Sequence, residues 1–384
     1  MNITESLHNL TAYIESEQFK GYDPYDTLNS WIPFHWFGRY VQALSIQFQK
    51  RNPINIRSVL GIRKDFNPKG MGLLLHAYTL LWQNDQSGEH RATMDFLFNW
   101  LHENYSKNYS GYCWGYNFTW ANPDKVLKPF HPSVVVTSFV AKGIYAYYLA
   151  TGKEKAKEVL KSCSEFILHD LPITETEDGI CFSYTDVKKD CCYNASVLGA
   201  EILAKVYSIT KEELLKEKTL KAVDFAIHHQ HPDGHWKYSL DVDTGKERSQ
   251  IDFHQGYIIQ SLFEIKKDLS LNDERIENAI RKGLDFYFHE QFSKEGRSLW
   301  RLPKEYPVDI HNQSQGIITF ALCKEYSEPY LKFAETIATY TIANMQHRSG
   351  YFYYRKFRTH THKIPYMRWS QAWIMLALIM LKQE

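Results

Sequence analysis

Apolar residues recur along this chain at three- and four-residue spacing, in segments that come in pairs. This is the signature of helices with a dry side. The approximate limits are 36–50 with 69–83, 90–104 with 132–149, 153–168 with 194–208, 211–229 with 254–267, 272–291 with 313–325, and 328–346 with 369–382. The first member of each later pair is amphipathic, as where Glu212, Lys216, Lys218 and Lys221 oppose Leu214, Leu215, Val223 and Phe225. Such a helix keeps one face in water. The second member is apolar nearly all round, as from Ser133 to Val140 or from Gly316 to Leu322, and is expected to be screened from solvent. Residues 4–18 form one more amphipathic helix, with Leu7, Leu10, Tyr13 and Ile14 on one side, before a turn-rich stretch from Gly21 to Ser30.

Two sets of markers move in step with the pairs. His131, Tyr193, His254, His311 and Arg368 each precede or open an inner segment, at intervals of about 60 residues. Gly111, Gly179, Gly234, Gly296 and Gly350 are each followed closely by an aromatic residue: Tyr112 and Trp114, Phe182, Trp236, Trp300 and Tyr351. The two phases define six helical hairpins. They predict an all-α chain folded as one domain over residues 1–384, an (α/α)6 toroid of six inner helices inside six outer ones, with residues 1–35 as a helix and loop packing on the ring. An open solenoid of stacked pairs is the alternative, and the lack of polar capping repeats argues against it. Outer-to-inner connections are long and contain short β-hairpin-like pieces, as at Pro232-Asp-Gly234 and Thr244-Gly245; most inner-to-outer connections are short. All long loops then gather at one mouth, where function is expected.

Composition adjusts this picture only slightly. With 384 residues, 44% apolar and 15% aromatic, the chain can bury a large core. A formal net charge of +1 gives no global field for nucleic acid, and no recognised nucleic-acid motif is present. The amino terminus lacks the pattern of a secretory signal, and the longest apolar run, Trp373 to Leu381, is too short to span a bilayer. Six cysteines without C-x-x-C spacing read as reduced, mostly buried thiols of a cytoplasmic protein. Neither a metal nor a cofactor is expected.

The candidate chemistry lies in the mouth loops. Asp252 and Asp309 both occur as Asp-x-His in neighbouring repeats, and Asp23 and Asp26 lie in the first loop. Paired carboxylates are what glycosidic bond cleavage needs, one to protonate the leaving oxygen and one to activate water or attack carbon. Asp252 and Asp309 are the candidate pair, with Asp26 in reserve; helix capping explains an Asp at these positions equally well. His254 and His311 are candidates to orient a sugar hydroxyl or shuttle a proton, and Asp23 to bind substrate. Trp114 and Trp120, in the longest loop, and Tyr354 are candidate sugar platforms, whereas Trp236 and Trp300 read as plugs fastening loop to ring. The last loop, Tyr351 to Trp369, carries Arg355, Lys356, Arg358, Lys363 and Arg368 and no acid. Arg368 in this strip is a candidate partner for an anionic sugar.

Gln230-His-Pro-Asp-Gly-His-Trp236 and the closing Arg368-Trp-Ser-Gln-Ala-Trp373, set in the hairpin repeat, resemble the six-hairpin glycosidase-like superfamily. Phe19-Lys-Gly-Tyr-Asp-Pro-Tyr-Asp-Thr-Leu-Asn-Ser30 and the same closing motif are similar to a bacterial group associated with exopolysaccharide or lipopolysaccharide biosynthesis loci. The resemblance implies a toroid and an oligosaccharide or polysaccharide substrate, but it does not supply a reaction. A Gln/Trp repeat resemblance to terpenoid cyclases fails because Asp241-Val-Asp-Thr244 lacks their last acid. Three readings follow: a hydrolase of a cell-surface or exported glycan, a lyase on an anionic polysaccharide, and a glycan-binding or assembly protein without turnover.

Overall fold

The computed structural model describes residues 1–123 and 125–383. Among the described residues, thirteen α-helices carry the fold: α1 (Ile3–Ser16), α2 (Gly38–Arg51), α3 (Pro68–Asp85), α4 (Gly88–Glu103), α5 (Val134–Thr151), α6 (Glu154–Glu165), α7 (Tyr193–Thr210), α8 (Glu213–His228), α9 (His254–Asp268), α10 (Glu274–Glu290), α11 (Ile310–Leu322), α12 (Pro329–Met345) and α13 (Ala372–Gln383). Helices α3, α5, α7, α9, α11 and α13 pack in succession, and α13 returns against α3, which closes the inner ring. They are buried nearly all round, as their composition predicts. Helix α5 is long and apolar enough to cross a membrane by length and composition, yet it is an inner member of this ring and mostly buried.

The turn from inner to outer helix is tight. Gln86–Ser87, Gly152–Lys153 and Lys211–Glu212 alone separate α3 from α4, α5 from α6 and α7 from α8. In each, the first residue takes a left-handed conformation, with φ of 53°, 65° and 61°, and donates its N–H back to the helix end. The opposite connections are long and carry small antiparallel sheets: β1 (Trp120–Ala121) with β2 (Val126–Leu127), and β3 (Ile173–Thr176) with β4 (Gly179–Phe182). β5 (Cys191–Cys192) pairs with β6 (Ser239–Asp241) and β6 with β7 (Lys246–Glu247), so adjacent loops are laced together. β8 (Val308–Asp309), β9 (Arg355–Lys356) and β10 (Thr361–His362) do the same for the last two repeats, with Asp309 opposite Arg355.

The periodic glycines show why the ring has six outer members. A Cβ at Gly111 would lie 1.8 Å from the Ser162 carbonyl oxygen on α6, at Gly179 2.2 Å from Lys221 on α8, and at Gly234 2.1 Å from Lys282 on α10. At Gly296 it would meet the Ile337 backbone on α12 at 2.8 Å. Each loop thus rests on the backbone of the next outer helix, where no side chain fits. At Gly350 the contact is the Asn9 carbonyl oxygen, at 2.1 Å, on α1. A second contact repeats the relation. Gln230 Nε2 donates to Gly234 O and to Ala279 O of α10, and Gln346 Nε2 donates to Gly350 O and to Ser6 O of α1. Helix α1 is therefore the sixth outer helix, and its buried face is Leu7, Leu10 and Ile14.

This corrects the pairing expected from periodicity, which gave that place to residues 36–50. Helix α2 instead lies over the mouth, against the 26–29 and 34–37 turns and the β1 strand. Its spacing is helical, but its apolar stripe faces outward. Periodicity alone does not report direction.

Candidate active site

The mouth encloses a cavity of about 650 Å³. Its wall mixes aromatic and cationic groups. Tyr25, Tyr116, Phe118, Trp120, Tyr184, Tyr238, Phe253, Tyr257, Trp300 and Trp369 supply the rings, and Lys50, Lys69, Lys125, Lys128, Lys188, Arg248, Arg301, Arg355 and Arg368 the cations. Among the described residues the lining holds one carboxylate, Asp190, whose pKa burial pushes upward.

The aspartates singled out from sequence stand behind this wall. Asp23 accepts two hydrogen bonds from Arg368, at 2.6 and 2.8 Å, and one from the Tyr25 N–H. The motif near the start of the chain and the motif near its end thus meet in one ion pair. Asp26 accepts from Arg57 Nε at 2.8 Å and from the Asp23 N–H at 2.9 Å; burial still pushes its carboxyl up to about 6. Asp309 is fully buried: it accepts from Arg355 Nε at 2.6 Å, from Trp369 Nε1 at 2.9 Å and from the His311 N–H at 2.9 Å. It caps α11 and clamps the cavity wall.

Asp252 differs in what it holds. It accepts from His254 Nδ1 at 2.5 Å and from Gln250 Nε2 at 2.7 Å, with Arg301 Nε at 3.5 Å. Burial pushes its pKa up, but the attraction and hydrogen bonding of His254, aided by Arg301, outweigh it and hold the carboxyl below its ordinary range. An ionised carboxylate accepts only, so Nδ1 of His254 is the donor and Nε2 is left as the second polar atom of a ring that lines the cavity.

His311 also lines the cavity, at the start of α11. Its Nε2 shares a hydrogen bond with Tyr257 Oη at 2.5 Å, and its Nδ1 has no partner among the described residues. Burial lowers its pKa well below the histidine value, and the cations Lys69 and Arg368 add to the effect. Tyr257 is kept a phenol chiefly by burial.

Three aromatic expectations need correction, those for Trp114, Trp300 and Tyr354. Trp114 is fully buried and does not reach the cavity: its indole N–H donates to Leu101 O at 3.0 Å. Trp236 does the same with Ala226 O at 2.7 Å. The backbone N–H of each is taken by the first turn of its inner helix, Thr137 for Trp114 and Gln255 for Trp236. Trp114 and Trp236 are equivalent plugs, and the length of the loop around Trp114 does not change that role. Trp300, expected as a plug, lines the cavity with Arg355 stacked on it at 4.2 Å. Trp120 lines the cavity as well. Tyr354 is fully buried and absent from the cavity lining, with Arg355 4.3 Å from its ring.

Sequence reasoning passed over two lysines. Lys69, in the first turn of α3, is 3% exposed and lies over the rings of Phe139 at 4.1 Å and Trp373 at 5.2 Å, with no carboxylate partner among the described residues. Burial, reinforced by Arg368 and Lys142, holds its pKa well below the lysine value. Lys50 of α2 sits over the Tyr25 ring at 4.1 Å and is lowered likewise by burial and by Arg355. The signal for Lys69 was the repeat itself, because it stands about one period before His131. Arg355 is 6% exposed and its Nη2 has no partner among the described residues. The wall therefore presents one buried ammonium with no carboxylate beside it among the described residues, Lys69, and one free N–H face of an ion-paired guanidinium, Arg355, an arrangement that favours an anion. Among the described residues no group of three His, Cys, Asp or Glu side chains is arranged to hold a metal ion.

A family model described as pectic acid lyase matches residues 183–302, a span that contains Tyr184, Asp190, Arg248, Asp252, His254 and Arg301. No curated protein matches the chain by sequence. Solved structures do match in shape. Cellobiose 2-epimerase from Bacillus thermoamylovorans superposes with a TM-score of 0.67 at 14% identity, over 85% of this chain and 90% of that one. An unsaturated glucuronyl hydrolase specific for heparin gives 0.64 at 12% identity, over 99% and 96%. The GH76 α-mannanase of Bacteroides thetaiotaomicron gives 0.60 at 15%, over 83% and 87%. The chain folds as an (α/α)6 toroid, as these solved structures do. Its mouth cavity lies where the long loops converge and is cationic and aromatic.

Proposed function

We propose that this protein is a carbohydrate-active enzyme whose substrate is an anionic, uronate-bearing glycan, and that it works by lyase chemistry. One observation carries the reading: the cavity wall is built from cations and aromatic rings, with Lys69 buried and without a carboxylate partner among the described residues and Arg355 Nη2 left unbonded beside its Asp309 ion pair, while Asp23, Asp26 and Asp309 are each committed to an arginine. Aromatic faces suit sugar rings, and the cations suit a carboxylate. The pectic acid lyase match over residues 183–302 supports the same reading.

The chemistry follows from what each group can do. A uronate carboxylate held by Arg355 and Lys69 acidifies the adjacent C5–H. His254, with Nδ1 fixed on Asp252, takes that proton at Nε2. The C5–H electron pair becomes the C4–C5 double bond, the C4–O bond breaks, and the departing oxygen takes a proton from Tyr257, which burial keeps as a phenol. Hydrolysis is the second reading, favoured by Asp252, which stays ionised against the cavity wall. The end motifs support a bacterial setting in surface-polysaccharide biosynthesis, and the six buried free cysteines support the cytoplasmic side.

The test is incubation with a panel of uronate polymers, following ultraviolet absorbance and new reducing ends together. Elimination raises both in equal molar amounts. New reducing ends without absorbance would turn the assignment to hydrolysis, and neither signal on any polymer would contradict turnover of such glycans.

A further inference from the structure

Helix α2 is built inside out. Tyr40, Val41, Leu44 and Phe48, at helical spacing, form an exposed stripe, while the face turned to protein carries Gln42 and Gln49 beside Ala43 and Ile46. A helix that serves a globular core does the reverse. The turn before it adds Trp31, 70% exposed, and Trp36, 77% exposed; the loop after it adds Ile54 at 69% and Val59 at 77%. Scattered surface apolar groups are ordinary, but a contiguous aromatic and aliphatic face marks an interaction site.

The charge of the segment says which kind. Between Asp26 and Asp65 the sequence has no acidic residue and carries Arg39, Lys50, Arg51, Arg57, Arg63 and Lys64. Arg57 is engaged by Asp26, Lys64 by Glu17, and Lys50 lines the cavity. Arg39, Arg51 and Arg63 remain exposed, with no carboxylate partner among the described residues. Tryptophan, tyrosine and aliphatic groups bordered by unneutralised arginine fit the boundary between headgroups and acyl chains of an anionic bilayer. A second copy of the chain fits less well. Two-fold pairing through this face would bring the arginines toward their own copies, with no acid in the segment to separate them.

We infer that the segment from Trp31 to Val59 docks this protein peripherally on an anionic membrane surface, with α2 lying in the interface. The inner side of the same helix gives Gln47 and Lys50 to the cavity wall, so docking sets the cavity about one helix diameter, roughly 10 Å, from the headgroups. The inference stands on α2 and its flanks, and not on the glycan chemistry proposed above.

The experiment is flotation of the full chain with vesicles of phosphatidylglycerol and phosphatidylcholine, against phosphatidylcholine alone, with sedimentation velocity run in parallel without lipid. The wild type floats with the anionic vesicles and is released as salt rises, and its tryptophan emission shifts to the blue. The combined variant Trp36→Ser, Leu44→Ser, Phe48→Ser binds at least about tenfold more weakly. Arg39→Glu with Arg51→Glu loses roughly fivefold or more for each charge reversed. Thermal melting confirms that each variant is folded. Absence of wild-type flotation with anionic vesicles overturns the inference, as does binding that the triple variant leaves unchanged. A wild-type dimer that the triple variant converts to monomer also overturns it, because the face would then be a contact between copies.

Discussion

Asp252 and Asp309 occupy the same sequence pattern, Asp-x-His at the head of an inner helix, and the structure gives them different work. Asp309 is saturated by Arg355, Trp369 and a backbone N–H, so removing its charge leaves Arg355 buried and unpaired. Asp309→Asn is expected to cost about 3–5 kcal/mol in urea unfolding. Asp252 orients His254, and Asp252→Asn offers Nδ1 an amide that can also donate, which releases the tautomer with Nε2 free. Turnover is expected to fall by about 10²–10⁴-fold, with the melting temperature within about 5 °C of wild type. Equal damage to stability from the two changes would contradict this division. His311 belongs to the same scale. Lys69→Met removes one of the cations that depress it, so its imidazole should protonate at a higher pH in the variant than in the wild type, as read by histidine NMR.

At the scale of the element, the loops are held by glycine on the outside and by a plug on the inside. At Gly234, φ is +99° and a Cβ would lie 2.1 Å from Lys282 O, so Gly234→Ala has to displace α10 or the loop. A loss of about 3 kcal/mol or more is expected in chemical denaturation. Gly245→Ala, with φ of +66° and open space around it, is the control and should cost only about 1 kcal/mol. The sequence showed these glycines and their period, because a repeated steric demand leaves a repeated residue. It did not show which loop aromatics turn inward. Trp114 and Trp236 share one environment although their loops differ in length, and Trp300 reaches the cavity because Ser298 takes the equivalent place, its N–H bonded to Gln313, two residues earlier. Direction in a loop is fixed by hydrogen bonds to other elements, such as that from the Trp114 N–H to Thr137 Oγ1, and single-sequence patterning does not carry them. Helix α2 misled for the same reason, since its apolar stripe is real but faces out.

At the scale of the molecule, six inner helices, five of the six outer helices and one mouth were legible, because burial all round and burial on one side leave different compositions. The cationic character of the mouth was not. The net charge of +1 conceals it, and only the end-of-chain strip betrayed part of it. The remainder comes from lysines and arginines far apart in sequence that the ring brings together. The buried histidines have a global consequence. His76 and His362 are each pushed down to about 4, chiefly by burial, so between about pH 6.5 and 4 the unfolded chain binds protons that the folded chain refuses. Their contribution is present above that window and is lost as pH falls through it. Asp26 works the other way, because a carboxyl raised to about 6 is relieved by protonation as pH drops from 6 toward 4. Two histidines outweigh one carboxyl, so the melting temperature should decline across the window, and Asp26→Asn should steepen the decline.

The most direct measurement is calorimetric binding of matched oligosaccharides, a uronate oligomer and the same oligomer with its carboxyls esterified, to the wild type and to Arg355→Gln. The account predicts that the wild type prefers the free acid by at least about tenfold, that added salt narrows the preference, and that Arg355→Gln removes most of it. Equal affinity for acid and ester, or a preference that survives the loss of Arg355, would contradict it.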